Sequence, residues 1–262
     1  MKSALFSTLL LLLYIRLSAG DDFCGTRNTA FQVGESSTYI VYYKLGAYVP
    51  AGEAKFSVVL EQMDNKPVYH IAGVGSTYGF YDNFFKVRDK YETYIDTATL
   101  QPVKFIRNVA EGTYRKYENV SFNRQTGTAI TSDGVYKVPA CIQDVVSAIF
   151  YARNIDFNKL QPGATIPFPM FLDNTTYDLY LRYVGKEVIK TRYGKFHTIK
   201  FKPLLIKGNI FEGGEKMTVW VSDDANHLPL RAESPISVGR IDVDMMGYRN
   251  LRYPLSSLIS VR

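Results

Sequence analysis

The sequence predicts an all-β protein, an antiparallel meander forming a curved roll or open barrel, with one short helix near its middle. Three observations carry this. Many short segments alternate aromatic or β-branched residues with polar ones, the period-two pattern of half-buried strands. Turn-forming residues interrupt them at intervals of roughly 8–15 residues, too close for the crossovers that parallel strands need. Only one stretch carries a helical period.

The chain opens MKSALFSTLLLLLYIRLSAGDDFCG. Lys2 gives a positive start, Ala4 to Tyr14 an apolar run, and Ser18-Ala19-Gly20 the small residues of a cleavage site, so residues 1–20 are expected to be a signal peptide. The apolar run falls short of the ~20 residues that span a bilayer. Cys24 follows Asp21, Asp22 and Phe23, which is no lipid-attachment pattern. An exported chain without a transmembrane segment is expected, with residues 21–262 forming one all-β domain of two related halves. The net charge is +6. Lys2 and Arg16 leave with the leader and no acid does, so +6 becomes +4, spread without a basic block. That excludes a nucleic-acid footprint. Cys24 and Cys141 survive cleavage, and in an oxidising compartment they can pair or stay free. Pairing would close a loop on the order of 100 residues, worth about 4–5 kcal/mol in the chain-entropy description.

Along the mature chain, strands are expected around Thr38–Tyr43, Ala54–Leu60 and Tyr177–Tyr183, with turns at Asp64-Asn65-Lys66-Pro67, Asn123 to Gly127 and Ser132-Asp133-Gly134. From Asp144, a good N-cap, the residues Val145, Ala148, Ile149 and Ala152 recur at helical spacing and predict a helix of about ten residues near 144–154. One unit occurs twice. IDTATLQPVK (95–104) and SDDANHLPLR (222–231) align without gaps, Asp96 on Asp223 and Pro102 on Pro229. Each Asp is expected to accept backbone N–H groups at the turn, and each Pro to begin the returning strand. Trp220 is then expected on a strand facing the core.

Chemistry is sparse. His70, His197 and His227 offer no pair at ligand spacing, and no cysteine cluster accompanies them, so no metal or other cofactor is expected. Neither a nucleophile elbow nor a zinc-protease signature occurs. Glu35, Asp89 and Glu111 are among the acids that could pair for sugar hydrolysis, which needs carboxylates roughly 5–9 Å apart. In Lys86 to Glu92, alternation sends Val87, Asp89 and Tyr91 to one face. Two readings stay open. The strand is a solvated face with cross-strand ion pairs, or Asp89 and Tyr91 face a cavity, with Arg153 as the partner of Asp89.

The segments AFQVGESSTYIVYY, AGEAKFSVVL, FFKVRDKYETYID, LQPVKF, DVVSAIFYARNID, YVGKEVIKTRYGKF, VWVSDDANHLPL and ISVGRIDV, in this order, resemble an exported bacterial family, domain of unknown function 3108. The resemblance implies an all-β envelope protein without an assigned activity, in the periplasm of a Gram-negative bacterium. The repeated hairpin also resembles the half-barrels of outer-membrane lipoprotein carriers, which hold acyl chains in an apolar concavity. The leading expectation is therefore a non-enzymatic module that binds a lipid or other apolar ligand against its Tyr- and Phe-rich inner face. The alternatives are a scaffold that docks an envelope protein partner through its strand edges, and a glycan-active enzyme.

Overall fold

The computed structural model describes residues 26–207 and 213–262. The expected signal peptide and Cys24, one end of the expected disulfide, lie outside the described residues.

Strands β1 (Ser36–Leu45), β2 (Ala47–Met63), β3 (Lys66–Thr77), β4 (Arg88–Asp96), β5 (Pro102–Glu111), β6 (Tyr114–Asn123), β7 (Thr128–Thr131) and β8 (Gly134–Lys137) succeed one another as antiparallel neighbours. After helix α1 (Val145–Ala152) a second meander runs through β9 (Thr165–Leu172), β10 (Thr175–Lys190), β11 (Gly194–Pro203), β12 (Thr218–Ser222), β13 (Pro229–Pro235) and β14 (Arg240–Arg249). β15 (Leu258–Val261) takes the stretch of β11 near Gly194 that β12 leaves unpaired. The β1–β14 ladder joins the two meanders into one sheet whose free edges are β8 and β9. The predicted meander and short central helix are both present.

Local chemistry sets the turns. Asp64 and Asn65 both take positive φ, the left-handed pair that a two-residue hairpin requires. Asp96 accepts from the backbone N–H of Ala98 and Thr99, and Pro102 opens β5. In the second copy Pro229 opens β13, but the capping acid is Asp224, which accepts from Asn226 N. Asp223 instead pairs with Lys186 at 2.9 Å. The gapless alignment places the left-handed residues, Leu100 and His227, in register; the carboxylate that caps the turn moves by one position.

An apolar cluster occupies the inner face of the sheet. The sheet curls so that Val58, Ile71 and Ile95 of β2–β4 share a cluster with Phe168, Leu179, Leu181, Ile199 and Phe201 of β9–β11, and α1 with Ala30 and Phe31 packs among them. Asp144 caps α1, accepting from Val146 N and Ser147 N at 2.8 Å, while its other oxygen accepts from Thr93 of β4 at 2.6 Å. The fully buried residues of α1 are Val146, Ser147, Phe150 and Tyr151; Val145, Ala148 and Ala152 are partly buried and pack against the apolar clusters, and Ile149 is exposed. The two aromatic rings remove the most area from water, so the helix is centred on Phe150 and Tyr151. Phe150 meets Phe31 edge-on at 5.0 Å. Gly73 of β3 has no side chain because the Phe56 ring lies where its Cβ would stand.

The two free edges approach each other without a continuous ladder. Gln143 donates to Pro169 O and accepts from Phe171 N, both at 2.9 Å, laying one residue parallel on β9. Below it Phe105, Val120, Phe122, Ala129, Ile142 and Phe171 form one apolar seam between β5–β7 and β9. The β9–β10 turn adds a polar clasp: Asp173 pairs with Arg107 and Lys116, and its N–H donates to Glu118.

Trp220 is buried but lies opposite the core. Its neighbours Val219 and Val221 turn inward, while its Nε1 donates to Glu187 and Lys200 covers its ring at 5.3 Å.

If α1 is part of the core, Phe150→Ala should lower unfolding free energy by about 3–5 kcal/mol in denaturant titration. A loss under about 1 kcal/mol would contradict this packing.

Candidate functional site

Asp89, Tyr91, Thr93 and Ile95 share the inner face of β4, since Thr93 and Ile95 are buried and side chains alternate along a strand. Asp89 accepts from Ala110 N at 3.0 Å and hydrogen-bonds the Glu111 carboxyl. Burial raises both pKa values, and the negative charge of Asp89 helps to push Glu111 to about 7. The two acids therefore share a proton near neutral pH. Burial likewise pushes Tyr91 up to about 12. A hydrogen-bonded acid pair leaves no space for a glycosidic bond between its members.

Arg153 is elsewhere. The expected Asp89–Arg153 contact is replaced by a Glu35–Arg153 pair, 2.6 and 3.1 Å, with the side chains 2% and 3% exposed. Arg153 Nε donates to Asn226 O, Nη2 also donates to Ala30 O, and the guanidinium stacks 5.2 Å from Phe150. Asp89 is too far along the roll to compete for it, its cationic neighbour being Arg107. Sequence reasoning missed this pairing because Glu35 and Arg153 are 118 residues apart.

Two further features concern surface chemistry. The β1–β2 turn, the β3–β4 connection (78–87), the β5–β6 turn and the β13–β14 turn lie at one end of the roll, as alternate hairpins of an antiparallel sheet must. The loops hold one another: Tyr78 N donates to Ala51 O, Gly112 N to Lys86 O, and Tyr43 Oη to Val238 O. Gly112, at φ +56°, lets the Phe85 ring pack against its backbone. Phe80 and Phe84 meet at a tilt, ring centres 5.7 Å apart, yet stay 70% and 76% exposed. Leu45, Tyr48, Phe85 and Val238 extend this apolar rim, with Lys44, Lys86 and Arg115 beside them.

A cavity of about 260 Å³ lies between β1, β13, β14 and the tip of the β10–β11 hairpin, with Tyr42, Arg192 and Arg231 among its walls. The Tyr42 hydroxyl is buried without a hydrogen-bond partner, an arrangement that costs about 1–3 kcal/mol. Among the described residues no group of three or more His, Cys, Asp or Glu could hold a metal ion, and no helix is long and apolar enough to cross a membrane.

The acid pair sets a pH response. The Glu111 pKa of about 7 stands above its ordinary 4.5, so the folded chain keeps a proton that the unfolded chain releases. This stabilisation is complete below about pH 4.5 and disappears as pH rises through about 7. Asp144 and Asp242, both raised to about 6 chiefly by burial, act with the same sign. Glu111→Gln should therefore flatten, without abolishing, the fall in stability between about pH 5 and 8, measured by denaturant titration. An unchanged slope would show that the pair holds no proton.

The fold is similar to that of a β-barrel-like protein, of domain of unknown function DUF1849, from Brucella abortus, with TM-score 0.55 at 6% identity over 86% of this chain and 100% of that chain. A structure described as an exported protein with a YmcC-like fold, from Bacteroides fragilis, aligns at TM-score 0.34 and 12% identity over 86% of this chain and 99% of that one. No curated protein matches the sequence. The family profile described as Protein of unknown function (DUF3108) matches residues 38–246, most of the roll from β1 into β14, and the chain belongs to that family.

Proposed function

We propose that this protein is an exported, non-enzymatic binding module of the cell envelope, working in the periplasm of a Gram-negative bacterium. It meets lipid through the aromatic and basic loops at one end of the roll, not by enclosing an acyl chain. The signal-like N-terminus supports export. The packing of α1 and Phe31 in the concavity supports moving the apolar contact outward, because a cargo inside would have to displace both.

One observation carries the reading: Phe80 and Phe84 stand 70% and 76% exposed on a loop that also carries Lys86, at the end of the roll that holds Lys44 and Arg115. Clustered exposed apolar side chains mark contact sites. Aromatic rings suit the headgroup boundary of a bilayer, and each cation near an anionic surface adds about 1 kcal/mol. Two acids near this end are engaged internally: Asp82 pairs with Arg88 at 2.6 Å, and Glu111 with Asp89.

Sedimentation of the mature chain with vesicles provides the test. Vesicles containing phosphatidylglycerol should bind it more tightly than pure phosphatidylcholine, with affinity falling as salt rises. The double variant Phe80→Ser, Phe84→Ser should bind at least about tenfold more weakly. Equal binding by the double variant, or no binding to either vesicle, would overturn the lipid reading. A cross-linker at position 84 that traps one envelope protein, without vesicle binding, would favour the protein-partner alternative.

A further inference from the structure

We propose that the cavity between β1, β13, β14 and the β10–β11 hairpin tip binds a phosphoryl group, carried by a small polar molecule or a lipid headgroup. The inference goes beyond the rim reading and depends on different residues, although Tyr48 borders both surfaces.

The cavity lies on the face of the sheet opposite the core. Tyr42 is three residues from inward Tyr39, Arg231 adjoins buried Leu230, and Asp244 adjoins buried Met245, so alternation turns all three away from the interior. The β10–β11 hairpin brings Lys190 and Arg192 over this face, with the Arg192 guanidinium 5.2 Å from the centre of the Tyr42 ring. Tyr48 supplies a wall, its ring 5.3 Å from that of Tyr42.

The lining is rich in donors and poor in free acceptors. Asp244 is the one acidic side chain among the lining residues, and Arg231 occupies both its oxygens at 2.7 and 2.9 Å. Thr191 is engaged with its own turn, donating to Gly194 O and accepting from Tyr193 N and Gly194 N. Lys190 and Arg192 make no ion pair among the described residues and stand at the mouth. The Tyr42 hydroxyl lies within electrostatic reach of Arg192, Arg231 and Asp244, and burial raises its pKa, so it stays protonated and can donate. A buried donor without an acceptor, beside Lys190, Arg192 and Arg262, which make no ion pair among the described residues, is complementary to an oxyanion. Guanidinium and ammonium groups favour phosphoryl oxygens, the guanidinium in a fork. At about 260 Å³ the space suits a phosphate ester or a single headgroup, and is small for an acyl chain.

Isothermal titration of the mature chain with glycerol 3-phosphate at low salt tests this. The wild type should bind saturably, and Arg192→Ala should bind at least about tenfold more weakly. Tyr42→Phe should lose about fivefold or more in affinity while its Tm without ligand stays equal or rises, because the change deletes a buried hydroxyl that has no partner. A merely structural tyrosine would not lower affinity while sparing Tm. Competition by phosphatidylglycerol vesicles would assign the phosphoryl group to a lipid, and lack of competition to a soluble ester. The Phe80→Ser, Phe84→Ser variant should keep glycerol 3-phosphate binding, which separates failure of the rim reading from failure of this one. Absence of saturable binding to glycerol 3-phosphate, or equal binding by wild type, Arg192→Ala and Tyr42→Phe, would overturn the proposal.

Discussion

The most deeply buried ion pair among the described residues, Glu35–Arg153, ties the N-terminal segment, the helix and the second meander together. Arg153 lies just after α1, and its guanidinium contacts Glu35 just before β1, Ala30 in the N-terminal segment, and Asn226 in the β12–β13 turn. Its own carbonyl meets the His227 ring at 2.7 Å. One side chain thus joins the second meander, the helix before it and the N-terminal segment. Burying two charges is expensive, and removing one partner alone typically costs about 3–5 kcal/mol, because the other is left uncompensated in a dry place. The hydrogen bonds around the guanidinium, and the Phe31 and Phe150 rings within about 6 Å of it, make such burial tolerable here.

The resulting roll has an inner face committed to its own chain. Because Arg153 fixes the end of α1 and Asp144 fixes its start, the helix lies across the concavity, and Phe31 and Phe150 occupy the space that an apolar ligand would need. Recognition then falls to surfaces the fold leaves over: the loops at one end, which no core residue needs, and the outer face of β1, β13 and β14. That outer face is unusually polar for a covered surface, since the β10–β11 hairpin folds over it and brings cations to Tyr42 and Arg231.

The meander and the helix were legible because they rest on local signals: period-two aromatic segments, Asp-Asn and Asp-to-Pro turns, and the Asp144 cap. The errors arose where long-range contacts decide. The Glu35–Arg153 pair joins residues 118 apart, which no local pattern brings together. Asp223 and Asp224 are adjacent, and which one caps the turn follows from contacts distant in sequence: Lys186 on β10 takes Asp223, and the Ser257 N–H donates to Asp224. Trp220 is covered by polar neighbours on the outer face, which hydrophobicity does not foretell. The surface features lay beyond sequence reasoning for the same reason. Tyr42, Arg192 and Arg231 come from three distant segments, and the exposure of Phe80 and Phe84 cannot be told from burial by residue type.

The claim that Arg153 couples three separate segments is tested most directly by hydrogen exchange on Arg153→Ala under native conditions. The account predicts that backbone amides in α1, in residues 30–35 and in the 222–229 turn lose protection together, while the β2–β3 hairpin keeps its own. Loss confined to the residues beside position 153 would contradict it.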